Sequence, residues 1–469
     1  MKPRLVLIGN GMAGAKLLEE LVATAPDLFD ITVFGNEPYG NYNRIMLSPL
    51  LAGDKSLDEI MINDRDWYQS HGITLNAGPE KAITQINRSS RQVHSADGTC
   101  CRYDRLIIAT GSKPFMLPIP GIDLNGVMSF RDISDVENMI KASERYKTAV
   151  VIGAGLLGLE AAMGLRTRGM DVTVVHSNDI PLNRQLDQEA GELLKQQLSE
   201  KGLRFKMNAR TTAILPSEQH ADLNGDLQDK KQHVGKLQFS DGSELQADLV
   251  IMAIGIRPNK QLAEEARIHC EKGIVVSDNL QTYDPRIYAL GECIQHRGGT
   301  FGLVAPLYDQ AKVLSNHLCE HGVARYYSLP TATKLKVTGI NLFSVGNFIG
   351  GGNSETIIYR DKQAGIYKKL IIEDDRLIGA ILYGDTQEGP FYNELLDSTE
   401  DIEPFRQYLM FGRALCDEIK ATYEPKRSNK TNIYKANANL KTNVKTKAKR
   451  PVEPKTRNLQ DSPSTHKVA

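Results

Sequence analysis

A tight glycine turn set between a strand and a helix occurs twice in this chain. Gly9-Asn10-Gly11-Met12-Ala13-Gly14 follows an apolar strand pattern at 4–8 and opens a helical pattern at 12–23; a second strand pattern follows at 31–34. Gly153-Ala154-Gly155-Leu156-Leu157-Gly158 repeats the order 144 residues later, after 149–152 and before a helical stretch to 168 and a strand at 172–175. Each copy reads as the start of a βαβ unit. In G-x-G-x-x-G the first Gly makes the turn, the second lets backbone approach a pyrophosphate, and the third lets helix pack on strand. The helix N-terminus adds unpaired N–H groups and a partial positive charge. Two such beginnings predict an α/β chain with two Rossmann-like units, each shaped for a dinucleotide.

The remaining punctuation suggests that one unit is inserted in the other. An apolar run at 106–109 breaks at Thr110-Gly111-Ser112-Lys113-Pro114, and a similar run at 249–254 breaks at Gly255-Ile256-Arg257-Pro258. The 469 residues suffice for two or three domains with cores of their own. The expected organisation is a first unit at 1–117 and 246–328, interrupted by a second at 118–245. Residues 216–236 read as a long hairpin loop of the second unit. Short strand patterns at 356–359 and 370–372 predict a small α+β domain over 329–423.

Charge separates the end from the body. Residues 426–469 hold 12 Lys and Arg against Glu453 and Asp461, whereas the rest holds 45 basic and 55 acidic residues. With few apolar residues, 424–469 is expected to be a disordered basic tail. Its one aromatic, Tyr434, offers no series of stacking platforms, so nucleic acid is not an expected partner. No apolar run reaches the roughly 18 residues of a membrane span, and the N-terminus lacks a signal-peptide pattern; a cytoplasmic location is expected. The six cysteines show neither C-x-x-C pairing nor metal-ligand spacing, so no metal site is expected.

Candidate cofactor contacts follow from these turns. In the first unit they are Gly9, Gly11, Met12, Ala13 and Gly14, with Ala109, Thr110 and Gly111 at the strand break. Glu37, just past the second strand, is the carboxylate available to an adenosine ribose. In the second unit they are Gly153, Gly155, Leu156, Leu157, Gly158 and Gly255, with Glu160 in the first helical turn as a contact on the nicotinamide or flavin side. His176 stands where the ribose carboxylate is usual, and Arg184 lies in the same loop, which leaves NADH ahead of NADPH by a small margin. Gly291 and Glu292 end a strand pattern similar to a late flavin-binding motif. Pro306 and Leu307 open a helix whose N-terminus can face a flavin ring. Cys293 reads as a packed thiol rather than a redox centre.

Taken together, these motifs resemble the two-dinucleotide-binding flavoproteins of the pyridine nucleotide–disulfide oxidoreductase fold. The strings Tyr42-Asn43-Arg44-Ile45-Met46-Leu47-Ser48-Pro49, Arg184-Gln185-Leu186-Asp187, Gly302-Leu303-Val304-Ala305-Pro306-Leu307 and Lys334-Leu335-Lys336-Val337-Thr338-Gly339 are similar to the N-terminal half of bacterial NAD(P)H nitrite reductase large subunits. The resemblance implies FAD in the first unit, NADH or NADPH in the second, and Arg44 and Ser48 near the FAD pyrophosphate. It implies an electron-transfer reductase for a separate acceptor: a nitrate or nitrite reductase catalytic subunit, or a small iron–sulfur carrier. A homodimer through the small domain is compatible with it. The helix after Arg44 lacks the C-x-x-x-x-C of disulfide reductases, and Pro49 replaces a Lys that related reductases pair with the Glu160 position. With no iron–sulfur or sirohaem module in the sequence, the chain is not expected to reduce nitrite alone. The alternatives are an NADH oxidase, a quinone or rubredoxin-type reductase and, from another class, a flavin-dependent redox-sensing binding protein.

Overall fold

The computed structural model describes residues 1–217, 232–328, 332–337, 339–398 and 400–422. Two parallel five-stranded sheets repeat one plan. The first runs in the order Ile287–Ala289, Arg105–Ile108, Arg4–Ile8, Asp30–Gly35 and Thr74–Ala77. The second runs Val127–Ser129, Leu249–Met252, Thr148–Ile152, Asp171–Val175 and Arg204–Lys206. The strand before each glycine turn is therefore central in its sheet. Its residues are apolar without alternation because both faces are covered, one by helices and the other by a three-stranded antiparallel sheet; Leu5, Leu7 and Val151 are fully buried. The helix Met12–Thr24 packs with Val304–Leu318 on the first sheet, and Leu156–Thr167 packs on the second.

The sheet pairing corrects one expected boundary. Leu249–Met252 lies between Val127–Ser129 and Thr148–Ile152, so the chain is still in the second unit well past residue 246. A continuous buried apolar run identifies a central parallel strand but not the sheet it joins. The two crossings between the units pair with each other: Ser112–Pro114 runs antiparallel to Ile256–Pro258, and the Thr110 hydroxyl donates to the Asn259 carbonyl at 2.6 Å.

The last folded part is a five-stranded antiparallel sheet flanked by the helices Gly389–Ser398 and Arg413–Thr422, as its strand patterns implied. One face packs with those helices around Phe343, Leu370 and Phe405. From the other, Leu342, Tyr367 and Tyr383 join the core of the second unit. Asp187 fixes the contact, accepting from the Tyr367 hydroxyl at 2.7 Å and Lys369 Nζ at 3.0 Å. The tip of the hairpin loop expected at 216–236 and the basic tail expected at 424–469 lie outside the described residues; strands Thr211–Pro216 and Val234–Phe239 flank the former.

Candidate functional site

Local sterics explain why each fingerprint glycine stands where it does. Gly9 has φ +109°, and a Cβ there would lie 2.1 Å from the Ala109 carbonyl oxygen; Gly153 has φ +111° and the same relation to Ala253, at 2.3 Å. In both turns the neighbouring strand passes directly over the glycine. At Gly14 and Gly158 a Cβ would meet the Gly9 and Gly153 oxygens at 2.5 and 1.9 Å, which is the close helix-on-strand packing expected of the third glycine. At Gly11 and Gly155 a Cβ would meet nothing within 4 Å. The backbone there faces open space.

That space is two adjoining cavities of about 440 and 830 Å³, within the range of small-molecule sites. The first is lined by Gly9, Gly11, Met12 and Ala13, by Ala109, Thr110 and Gly111, and by Glu37, Arg44, Gly291, Glu292 and Leu307. Its wall is completed from the other unit by Leu156, Leu157 and Glu160. The second is lined by Gly153, Gly155, His176 and Gly255. Pro114, Phe130, Arg131, Leu156, Leu157, Glu292 and Gly302 border both. Four expected residues line neither: Gly14 and Gly158, which serve packing, Pro306 in the first turn of its helix, and Ser48.

Ser48 instead reaches Glu160, its hydroxyl donating to the carboxylate at 2.6 Å. Burial pushes the Glu160 carboxyl up, and the Ser48 hydrogen bond offsets that in part. With Pro49 in the position of a lysine, no cation pairs with this carboxylate among the described residues, and burial shifts it toward the protonated form. For a carboxyl raised on folding, the folded state holds its proton after the unfolded chain has released it. Stability is then greatest below the unfolded value near 4.5 and falls as pH rises toward the folded value. Glu160→Gln keeps an acceptor for Ser48 and removes the titration. Its melting temperature is expected to match wild type at pH 4.5 and to exceed it at pH 8, where burial penalises the charged wild-type carboxylate. Parallel melting curves for the two proteins across this range would contradict the assignment.

Charged groups along the first cavity are compensated across the units. Glu37 pairs with Arg44 and accepts from the Tyr42 hydroxyl at 2.7 Å, and Arg44 also donates to the Arg131 carbonyl at 3.0 Å. Glu292 pairs with Arg131 and accepts from Ser112 Oγ at 2.8 Å. Arg131 was not foreseen: it follows a short strand and no motif marks it. Asn10, inside the first fingerprint, was likewise passed over. Its Oδ1 accepts from Tyr68 at 2.6 Å, and its Nδ2 is buried without a partner among the described residues. The Gln310 side chain accepts the Gly291 N–H at 2.7 Å and so ties the late strand end to the helix Val304–Leu318.

His176 is neutral. Burial lowers its pKa; Nδ1 accepts from Ala154 N–H and Nε2 faces Asn183 Oδ1, each at 3.3 Å. Cys293 is fully buried, lines neither cavity and is pushed up to about 11 by burial, as an inert thiol would be. The open backbone at Gly11 and Gly155, the unpaired amide of Asn10 and the two helix N-termini together fit a pyrophosphate in each cavity.

Comparison with known proteins agrees with this geometry. Residues 3–312 match the family described as pyridine nucleotide-disulphide oxidoreductase, and residues 331–400 match the rubredoxin NAD+ reductase C-terminal domain. Two proteins of Bacillus subtilis (strain 168) are each 44% identical: a nitrite reductase [NAD(P)H] over 401 residues, and an assimilatory nitrate reductase electron transfer subunit over 397. These alignments cover 86% and 85% of this chain but 48% and 49% of the relatives, so the chain spans about half their length. Among solved structures, a putidaredoxin reductase–putidaredoxin complex aligns with TM-score 0.77 and 25% identity, covering 90% of this chain and 99% of that one. The chain belongs to the pyridine nucleotide-disulphide oxidoreductase family.

Proposed function

We propose that the protein is a flavin-dependent electron-transfer reductase, with FAD in the first cavity and a reduced nicotinamide dinucleotide in the second. The observation that carries this reading is the shared wall: Phe130, Arg131, Leu156, Leu157 and Glu292 border both cavities, so ligands held by the two fingerprints meet there. Flavin and nicotinamide supply the redox chemistry when bound. The chain supplies position. Gly11 and Gly155 admit the pyrophosphates, the paired Arg44 and Glu37 line the first cavity, and Glu292 is held by Ser112 and Arg131. Leu156 and Leu157 present an apolar surface that excludes water from the junction.

No cysteine lines either cavity among the described residues, so electrons do not leave through a dithiol. A separate acceptor is required. The relatives' names point to a nitrate or nitrite reductase catalytic subunit, and the rubredoxin-type C-terminal match to a small iron–sulfur carrier. NADH is the donor in this reading. No described helix is long and apolar enough to cross a membrane, which fits the cytoplasmic location we assign.

Anaerobic stopped-flow mixing tests this directly. NADH is expected to bleach the flavin within seconds, and nitrate reductase or an iron–sulfur acceptor is expected to reoxidise it faster than oxygen does. A flavin left oxidised by NADH and NADPH alike would overturn the proposal. Fast turnover with oxygen or a quinone alone would leave the reductase chemistry and replace the acceptor.

A further inference from the structure

In a G-x-G turn the glycines carry the steric requirement, and the side chain between them is left free for other work. In the first fingerprint that residue is Asn10, and three separate elements hold it. Tyr68, from the helix Arg65–Ser70, donates its hydroxyl to Asn10 Oδ1 at 2.6 Å. Asn41, itself buried, donates its Nδ2 to the Asn10 carbonyl at 3.1 Å. Gly35 ends the strand Asp30–Gly35 and leaves room for the side chain: a Cβ there would stand 3.1 Å from Asn10 Cβ.

Tyr68 is fixed in turn. It is buried in the core of the first unit, with Trp67 set edge-on at 5.0 Å, and Asp64 caps its helix by accepting from the Trp67 N–H at 2.9 Å. Burial pushes its phenol up, so the hydroxyl keeps its proton and remains a donor. A donor bonded to Oδ1 sets which way the amide faces. It leaves Nδ2 as the free end, buried without a partner among the described residues, while Asn10 lines the first cavity. A buried amide donor is costly unless it is bonded, so this one is matched to an acceptor on a ligand.

The surroundings of Asn10 indicate which part of a ligand it meets. It lies between the glycine turn and Gly35, where the chain leads on through Asn36 to Glu37, and all of these line the cavity. That corner belongs to the adenosine half of a dinucleotide. We infer that Asn10 Nδ2 is a side-chain donor to the adenosine-side phosphate of FAD, and that Tyr68, which lines neither cavity, is the positioning residue that aims it. The inference rests on the proposed placement of FAD in the first cavity.

Titration of the flavin-depleted full chain with FAD and with ADP tests it without turnover. N10A is expected to weaken both ligands about tenfold, and N10D about a hundredfold because a carboxylate of the same shape would face the phosphate. Y68F keeps the ring and its packing and is expected to weaken both about fivefold. In N10A/Y68F both affinities are expected to stay within about twofold of N10A alone, because Tyr68 acts only through Asn10. A tyrosine with a merely structural role would lower affinity equally in both backgrounds, so additive losses would overturn its positioning role. N10A and N10D that bind like wild type would overturn the assignment of Asn10, and a loss for FAD without one for ADP would overturn the adenosine-side phosphate. If the wild-type chain binds neither ligand, the placement of FAD itself fails, and the inference with it.

Discussion

Gly11→Val is expected to give a chain that folds and melts like the wild-type apoprotein but is purified without flavin. Gly11 adopts φ −79° and ψ −177°, an extended conformation that valine takes readily, and a Cβ there meets nothing within 4 Å. The substitution therefore places no strain on the turn. Its branched side chain instead fills the space through which backbone N–H groups of the helix start at Met12 reach a pyrophosphate. Loss of that approach is expected to weaken FAD binding on the order of a thousandfold, or about 4 kcal/mol. Flavin absorbance per chain after purification, followed by FAD titration of the apoprotein, measures it. Stoichiometric flavin in the variant would show that the first fingerprint is not the pyrophosphate site.

Gly158→Val is expected to act in the opposite way, on stability first. The added Cβ would lie 1.9 Å from the Gly153 carbonyl oxygen, and Gly153 cannot move aside because it is held at φ +111° under Ala253. The helix Leu156–Thr167 must lift from its sheet, opening packing around Leu159 and Ala162, both fully buried. A destabilisation of about 3 kcal/mol or more is expected, read as a lower urea midpoint for the second unit. A wild-type midpoint would mean that the turn relaxes more readily than its geometry implies. The second glycine of one fingerprint and the third glycine of the other are thus expected to fail differently, one by closing a site and the other by breaking a packing contact.

The positions of these glycines were legible without any structure, because a turn that must lie under a strand and over a pyrophosphate tolerates few residue types. Strand and helix limits were legible nearly as well: the first helix, expected at 12–23, spans Met12–Thr24. Other features were hidden for identifiable reasons. The run beginning at Leu249 reads as a buried strand in any parallel sheet, and only its hydrogen bonds to Val127–Ser129 and Thr148–Ile152 assign it to the second. Ser48 belongs to a recognisable string, yet its side chain turns from the cavity to Glu160, 112 residues away in sequence.

The amino-acid sequence by itself determined that the chain has two βαβ beginnings with the glycines of a dinucleotide site, that no dithiol follows Arg44, and that no carboxylate follows the second strand of the second unit. These are local properties, set by periodicity and by backbone sterics within a few residues. Tertiary structure alone decided that Leu156, Leu157 and Glu160 of one unit wall the cavity of the other, that Arg131 neutralises Glu292, and that Arg184 and Arg210, from separate loops, line the same second cavity. Each of those relations joins segments distant in sequence through packing or long-range charge, and no local pattern records which partner a distant side chain meets.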